Sequence, residues 1–131
     1  VILRKIPGRH GTIKACGDSC GVVFQSLREK GLYLVGDTVW FDRVQCALIE
    51  YKPDVIIVNA CAATLVDEGR LIMNDEDIAK ISEVSPMATI IASHMDTVAH
   101  AMLNRLTLKD ALMKRAVHNV KIIGDGEVMH F

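Results

Sequence analysis

The sequence predicts an α/β protein folded as a single domain over residues 1–131, and three observations favour this class. Apolar runs typical of strands alternate with segments whose apolar residues recur at helical spacing. The run at 55–58, Val-Ile-Ile-Val, has no polar interruption, as in a parallel strand covered on both faces. No linker, repeat or low-complexity stretch divides the chain, whose length is typical of one domain.

The N-terminal part of the chain predicts three strands followed by a helix. Segments rich in β-branched or aromatic residues predict strands at 1–6, 21–27 and 32–35, and glycines between the first two strands mark turns. Apolar residues at helical spacing predict a helix over 41–51, which Pro53 prevents from continuing.

The remainder of the chain continues the same alternation of strands and helices. Apolar runs predict further strands at 54–59, 88–93 and 120–123. After the last of these, the Asp125-Gly126 turn leads into a predicted final strand.

Three helices are predicted between and after these strands. Asn74 caps the first, over 74–83, and the acidic residues that follow it complement the helix dipole. Thr97 begins a short second helix, and Thr107 caps a third, with Asp110 at the capping-box position. The order of elements indicates a sheet with right-handed crossovers.

Composition argues against several classes of partner. The formal net charge is -1, so no basic excess favours nucleic acid. No apolar run approaches the ~20 residues of a membrane span, so a membrane is not an expected partner either.

The N-terminus lacks the residue order of a secretory signal and also lacks Met, so we expect a truncated or proteolysed product.

The cysteines favour a reducing, cytoplasmic setting. Cys16 and Cys20 are separated by three residues, whereas Cys46 and Cys61 are isolated, and no second Cys-x-x-Cys completes a zinc site. Buried or incidental thiols are therefore the favoured interpretation, and a cysteine metal site or a disulfide is the alternative.

Three side chains at predicted strand ends suggest a metal site. His10 lies in Arg-His-Gly near the start, Asp37 follows the strand at 32–35, and His94 closes the run at 88–93. A metal that activates water needs nitrogen and oxygen ligands at fixed distances, and the ends of adjacent strands are stiff places to mount them. Neutral imidazole suits zinc, iron and manganese, and a carboxylate can bridge two ions.

Four strings in this order resemble the C-terminal half of the metallo-β-lactamase fold, over essentially the whole chain. The strings are Pro-Gly-Arg-His-Gly at 7–11, Leu-Tyr-Leu-Val-Gly-Asp-Thr-Val-Trp at 32–40, Lys-Pro-Asp-Val-Ile-Ile-Val-Asn-Ala at 52–60 and Ile-Ile-Ala-Ser-His-Met-Asp at 90–96. Within that fold the chain is most similar to the metal-dependent hydrolases that include the ascorbate phosphate lactonases. The resemblance implies half of an αββα sandwich, a mixed sheet with helices on one face.

The resemblance also implies a ligand set and a reaction class. It assigns His10 to the first metal and His94 to the second, and it makes Asp37 a catalytic residue as the carboxylate that bridges the two metals. In the complete protein, it implies that the hydroxide shared by the metals attacks the substrate. It further implies that His100 faces a small-molecule substrate. Zinc is the expected ion, and iron and manganese are the alternatives.

Each of these residues also has a structural interpretation. His10 can cap local backbone groups, Asp37 can serve as a turn residue, and His94 can be a satisfied histidine at a strand end. Asp96 either orients an imidazole from behind or caps the helix that begins at Thr97.

Two functional hypotheses follow. In the first, the complete protein is a metal-dependent hydrolase, and this chain alone is inactive because the family's His-x-His-x-Asp-His motif does not occur in it. In the second, the chain is a non-catalytic α/β association domain. Both predict a homo-oligomer, because a half-fold leaves one face of its sheet open.

Overall fold

The structure, a computed structural model, describes residues 1–11, 17–96 and 98–131. In these residues the chain forms eight strands and three helices. The elements are β1 (Ile2–Pro7), β2 (Cys20–Gln25), β3 (Leu32–Leu34), α1 (Asp42–Tyr51), β4 (Val55–Asn59), β5 (Thr64–Leu65), β6 (Gly69–Arg70), α2 (Asp75–Val84), β7 (Thr89–Ser93), α3 (Arg105–Lys114) and β8 (Val120–Ile122).

Six of the strands form one mixed sheet in the order β1-β2-β3-β4-β7-β8. The first three pair antiparallel, and β3, β4, β7 and β8 run parallel to one another. The parallel pairs need crossovers, which α1, α2 and α3 supply in chain order. The predicted α/β class and mixed sheet are confirmed.

The helices cover one face of this sheet. Ile56 and Val58 of β4 are fully buried in a single cluster to which all three helices contribute, among them Leu48, Ile78 and Leu108. Because side chains alternate along a strand, the odd-numbered residues of β4 point to the opposite face. The predicted arrangement of helices on one face is therefore confirmed.

The opposite face of the sheet is only partly covered. Val55 and Ile91 are buried there, whereas Leu32 and Ile57 remain half-buried and line a groove of about 500 Å³ together with Phe131. The apolar run at 55–58 is thus largely buried within the chain itself.

Several predicted elements are refined by the structure. The helix over 41–51 ends as predicted, because Lys52 adopts a left-handed conformation with φ 43° and donates its N–H to the Leu48 carbonyl. Asn74 caps α2 as predicted, since its side chain accepts a hydrogen bond from the Asp77 N–H. The short hairpin formed by β5 and β6 was not predicted from the sequence.

Three predictions in the C-terminal third need comment. Thr107 does not cap α3: Asn104 is the cap, and Thr107 returns its hydroxyl to the Asn104 N–H in a capping box. Thr97 lies outside the described residues, and 98–104 contains no helix. The final strand after Gly126 is also absent from the described residues, because the Glu127 carboxylate accepts the Gly124 N–H and closes a turn there.

None of the described helices is long and apolar enough to span a membrane, since each has ten residues. A span needs about 20 residues.

A buried carboxylate links three parts of the fold. Asp77, in the first turn of α2, is 2 % exposed and accepts hydrogen bonds from the Trp40 N–H at 3.2 Å and from the Arg70 guanidinium. Arg70 also donates to the Ile72 carbonyl at 3.1 Å. The approach to α1, the β5–β6 hairpin and α2 therefore share one ionic anchor.

We expect Asp77→Ala to lower the free energy of unfolding by about 2 to 3 kcal/mol, because it removes the hydrogen-bond acceptor of the part-buried Trp40 N–H and the ionic partner of the Arg70 guanidinium. Urea unfolding measures this change. The matched control is Asp110→Ala, an exposed carboxylate on α3, which should cost less than about 0.5 kcal/mol. Equal losses in the two variants would show that the anchor contributes nothing specific.

Candidate metal centre

The C-terminal ends of three neighbouring strands place polar residues at one edge of the sheet. Because β3, β4 and β7 are parallel and adjacent, their ends meet at the same edge. Asp37 follows β3, Asn59 is the last residue of β4, and His94 follows β7. This is the edge at which open parallel sheets hold their ligands.

The turn after β3 brings Asp37 into position. Gly36 has φ +75°, and a Cβ atom there would lie 2.5 Å from the Cys20 carbonyl oxygen on β2. Only glycine fits this left-handed position against a neighbouring backbone. The chain therefore turns sharply out of the sheet immediately before Asp37.

Two hydrogen bonds then bring the loop that carries His10 against the loop that carries Asp37. The Arg9 N–H donates to the Thr38 hydroxyl at 2.8 Å, and the Val39 N–H donates to the Arg9 carbonyl at 3.0 Å. Thr38 is 1 % exposed, so its hydroxyl is a fixed anchor. As a result, His10 Nε2 lies 3.9 Å from Asp37 Oδ2.

The two oxygens of Asp37 have different partners. Oδ2 faces His10, whereas Oδ1 accepts a hydrogen bond from Asn59 Nδ2 at 2.6 Å. The His10 side chain is 21 % exposed and that of Asp37 is 42 % exposed, so both remain accessible from outside. The arrangement presents one imidazole nitrogen and one carboxylate oxygen side by side.

This pair has the chemistry and approximately the spacing that a divalent metal needs. Two ligands on one tetrahedral zinc ion lie about 3.4 Å apart, given metal–ligand bonds of about 2.1 Å. The 3.9 Å between His10 and Asp37 is a few tenths of an ångström too long, which a side-chain rotation corrects. Two ligands alone give only weak binding, because zinc sites use at least three protein ligands.

The structure does not bring His94 into one group with this pair. In the part of the chain that the structure describes, no three His, Cys, Asp or Glu side chains lie close enough to hold an ion. The reason is geometric: β7 is two strands away from β3, so the strand ends are about 10 Å apart. The ligand role of His94 stays a prediction, as do those of His10 and Asp37.

Asp96 contacts the start of α3 rather than an imidazole. Its carboxylate accepts hydrogen bonds from the Arg105 backbone N–H at 3.2 Å and from Arg105 Nη1 at 2.6 Å. Both His94 and Asp96 have positive φ, at 58° and 62°, so the chain adopts a left-handed conformation at both residues after β7. Of the two interpretations of Asp96, helix capping is nearer to the structure, although the helix concerned is α3.

His100 lies in an exposed turn whose backbone is fixed near the same edge. Its carbonyl accepts the Thr64 N–H at 3.1 Å, and the Cys61 carbonyl accepts the N–H groups of Met102 and Leu103, both at 3.0 Å. The segment is thereby tied to the chain that leaves β4. The substrate contact predicted for His100 stays a prediction.

Two residues beside Asp37 were not predicted from the sequence as site residues. Asn59 ends an otherwise apolar strand, and a lone amide in that position was the signal available. Cys61 is fully buried, and this burial raises the pKa of its thiol, with the nearby negative charge of Asp37 acting in the same direction. Both effects disfavour the thiolate form of Cys61.

Sequence and structure comparisons find relatives about twice as long as this chain. The UPF0173 protein YddR of Bacillus subtilis (strain 168) is 37 % identical over 134 residues, which is 98 % of this chain and 53 % of the relative. No model of a known protein family matches the sequence. The chain thus spans about half the length of its curated relative.

The solved structures that match are also about twice as long as this chain. An isothiocyanate hydrolase from Delia radicum gut bacteria matches with a TM-score of 0.90 and 34 % identity, over 98 % of this chain and 53 % of that protein. A possible metal-dependent hydrolase from Veillonella parvula matches with a TM-score of 0.88 and 38 % identity, over 95 % and 52 %. The metallo-β-lactamase fold protein YhfI from Bacillus subtilis matches with a TM-score of 0.65 and 13 % identity, over 98 % and 49 %.

The chain forms half of a metallo-β-lactamase fold. The resemblance read from the sequence is confirmed, and the extent of the matches is consistent with the C-terminal half. The finer placement beside the ascorbate phosphate lactonases stays a prediction. Within the metallo-β-lactamase fold, the His10–Asp37 pair lies at an edge of the six-stranded sheet of this chain.

We expect Gly36→Ala to destabilise the fold and displace Asp37. The alanine meets two costs, roughly 1 to 2 kcal/mol for the left-handed conformation and about 1 to 3 kcal/mol for the contact with the Cys20 carbonyl. Gly69→Ala is the matched control, because Gly69 has φ +74° and a Cβ atom added there would meet no atom within 4 Å, so it meets only the first cost. Urea unfolding of both variants compares them, and equal losses would contradict the close approach.

Proposed function

We propose that this chain supplies one half of a metal-dependent hydrolase, with a binuclear site at the edge that carries Asp37. The observation that carries the proposal is the His10–Asp37 pair, an imidazole and a carboxylate held 3.9 Å apart by the loops after β1 and β3. The neighbours named metal-dependent hydrolase and isothiocyanate hydrolase support it, because they share this half of the fold at 34 % to 38 % identity.

In this proposal each residue has a defined task. His10 binds the first ion, Asp37 bridges the two ions, and His94 binds the second. The ions are zinc in the first instance, with iron or manganese as alternatives, since imidazole and carboxylate suit all three. A bound divalent ion supplies water with a lowered pKa and stabilises negative charge on the substrate. His100, on its exposed turn, contacts the substrate.

The remaining ligands come from the other half of the fold in this proposal. The odd-numbered residues of β4, which include Asn59, face the less covered side of the sheet. The edge that carries Asp37 is therefore accessible from that side. Side chains from a second layer packed there would complete a ligand set that this chain begins. The chain alone is then inactive in hydrolysis.

The proposed substrate is a small molecule with an electrophilic carbon, of the kind that an isothiocyanate presents. The proposal is supported by the similarity to the isothiocyanate hydrolase, which matches with a TM-score of 0.90. The proposed compartment is the cytoplasm, because the cysteines of the described residues, Cys20, Cys46 and Cys61, are all free thiols.

The metal proposal predicts that the chain binds zinc through His10 and Asp37. His10→Ala and Asp37→Ala should each weaken zinc binding more than about 100-fold, because loss of a mere outer partner of a ligand already costs 10-fold to 100-fold. Competition with a chromophoric chelator measures the affinity at pH 7.

The matched control for this experiment is His118→Ala, since His118 is exposed and distant in sequence from the candidate ligands. It should bind zinc as the unaltered chain does. If the chain binds no zinc, iron or manganese and is stably oligomeric, the alternative holds, and the chain is an association domain without this chemistry.

We also propose that copies of the chain associate through β1. Among the described residues, this strand forms one edge of the six-stranded sheet and pairs only with β2, and Ile2 and Leu3 are 56 % and 62 % exposed. An apolar strand edge with unpaired backbone groups is a template for a second strand.

Leu3→Lys should therefore shift the chain towards the monomer, because a charge on an edge strand opposes pairing. Size-exclusion chromatography with light scattering measures the mass. Leu106→Lys is the control, since Leu106 is 75 % exposed on α3. A monodisperse monomer of the unaltered chain at high concentration would refute the association.

A further inference from the structure

We infer that Asn59 is a positioning residue for Asp37: its side-chain amide holds one carboxylate oxygen so that the other is presented beside His10. The inference rests on the proposed function, because it gives the orientation of Asp37 a purpose in metal binding. It adds a residue that neither the resemblance nor the motif pattern assigned a role.

Asn59 lies on a central strand of the six-stranded sheet. It ends β4, which is paired on both sides, by β3 and by β7, and its register partner on β7 is Ser93. Pairing continues past it, since the Ala60 N–H donates to the Ser93 carbonyl at 3.0 Å. A side chain on a central strand positions its neighbour more accurately than one on a loop.

The direction of the hydrogen bond follows from chemistry. An ionised carboxylate only accepts hydrogen bonds, so the nitrogen of the amide must be the group that faces Asp37 Oδ1. The distance of 2.6 Å is short, as expected for a hydrogen bond to a charged acceptor. The Asn59 side chain is thus constrained in orientation as well as in position.

The hydrogen bond from Asn59 gives the two oxygens of Asp37 different roles. The last torsion of an aspartate side chain is soft, so a free carboxylate samples many orientations. With Oδ1 held by Asn59, Oδ2 is the oxygen left 3.9 Å from His10 Nε2. The pair is therefore oriented before any ion arrives, and ordering it costs less on binding.

A purely structural role for Asn59 makes a different prediction. If the bond only stabilised the loop after β3, its loss would lower the unfolding midpoint and leave the bound metal's environment unchanged. If it orients Asp37, its loss weakens the metal affinity and alters the geometry of the bound ion even when the site is saturated.

The test compares Asn59→Ala and Asn59→Thr with the unaltered chain. Threonine suits a strand, yet its hydroxyl is one atom too short to reach Asp37, so it serves if the alanine variant folds poorly. Zinc affinity is measured by chelator competition, the visible spectrum is recorded with cobalt(II) at saturation, and urea unfolding is followed without metal. Ser93→Ala is the control, since it alters the register partner and leaves the Asn59–Asp37 bond in place.

Both Asn59 variants should bind zinc 10-fold to 100-fold more weakly, as is usual when an outer partner of a ligand is removed, and should show an altered cobalt spectrum. Ser93→Ala should stay within about twofold of the unaltered chain. If His10→Ala and Asp37→Ala abolish binding but the Asn59 variants bind normally, the inference fails and the proposed function stands. If the unaltered chain binds no metal, both fail together.

Discussion

The buried hydroxyl of Thr38 is the contact on which the candidate site depends. It accepts the Arg9 N–H, and the Arg9 carbonyl in turn accepts the Val39 N–H, so two loops far apart in sequence are joined back to back. This junction holds the turn after β1 against the turn after β3, and it thereby places the imidazole of His10 beside the carboxylate of Asp37.

The two faces of the sheet explain why the chain looks like half of something larger. One face is covered by three helices that share one core, with residues such as Ile56 fully buried. The other face carries Leu32 and Ile57 half-buried, and Asn59 points to it at the edge beside Asp37. The candidate site and the less covered face are therefore contiguous. A second layer on this face would at once bury the apolar residues and reach the ligand pair.

The sequence predicted those elements of the fold whose physical cause lies within a few neighbouring residues. The buried strand β4 was predicted within one residue of its bounds, because a short apolar run without polar interruption is typical of a parallel strand covered on both faces. The cap at Asn74 depends on contacts within one turn, and it was also predicted. Thr107 was mistaken for a cap because Asn104 and Thr107 make reciprocal bonds, and either residue type suits the position.

The site was less predictable because its causes are long-range. That His10 lies beside Asp37 depends on the pairing of two loops, and the resemblance indicated it where no local pattern did. The role of Asn59 depends on which strand lies next to β3, a fact that strand order fixes and composition does not show. The separation of His94 from the pair has the same origin, since β4 lies between β3 and β7.

The thiol of Cys61 is another group near Asp37 that could bind a metal. Cys61 is close enough for the charge of Asp37 to act on its thiol, but burial raises the pKa of that thiol and Asp37 raises it further. A thiol binds metal as the thiolate, so recruiting Cys61 requires removing a proton from a buried, negatively flanked site. That cost makes Cys61 a poor third ligand beside an accessible imidazole and carboxylate. In the proposed site the other ligands are instead His94, with an ion of its own, and side chains that approach from the less covered face.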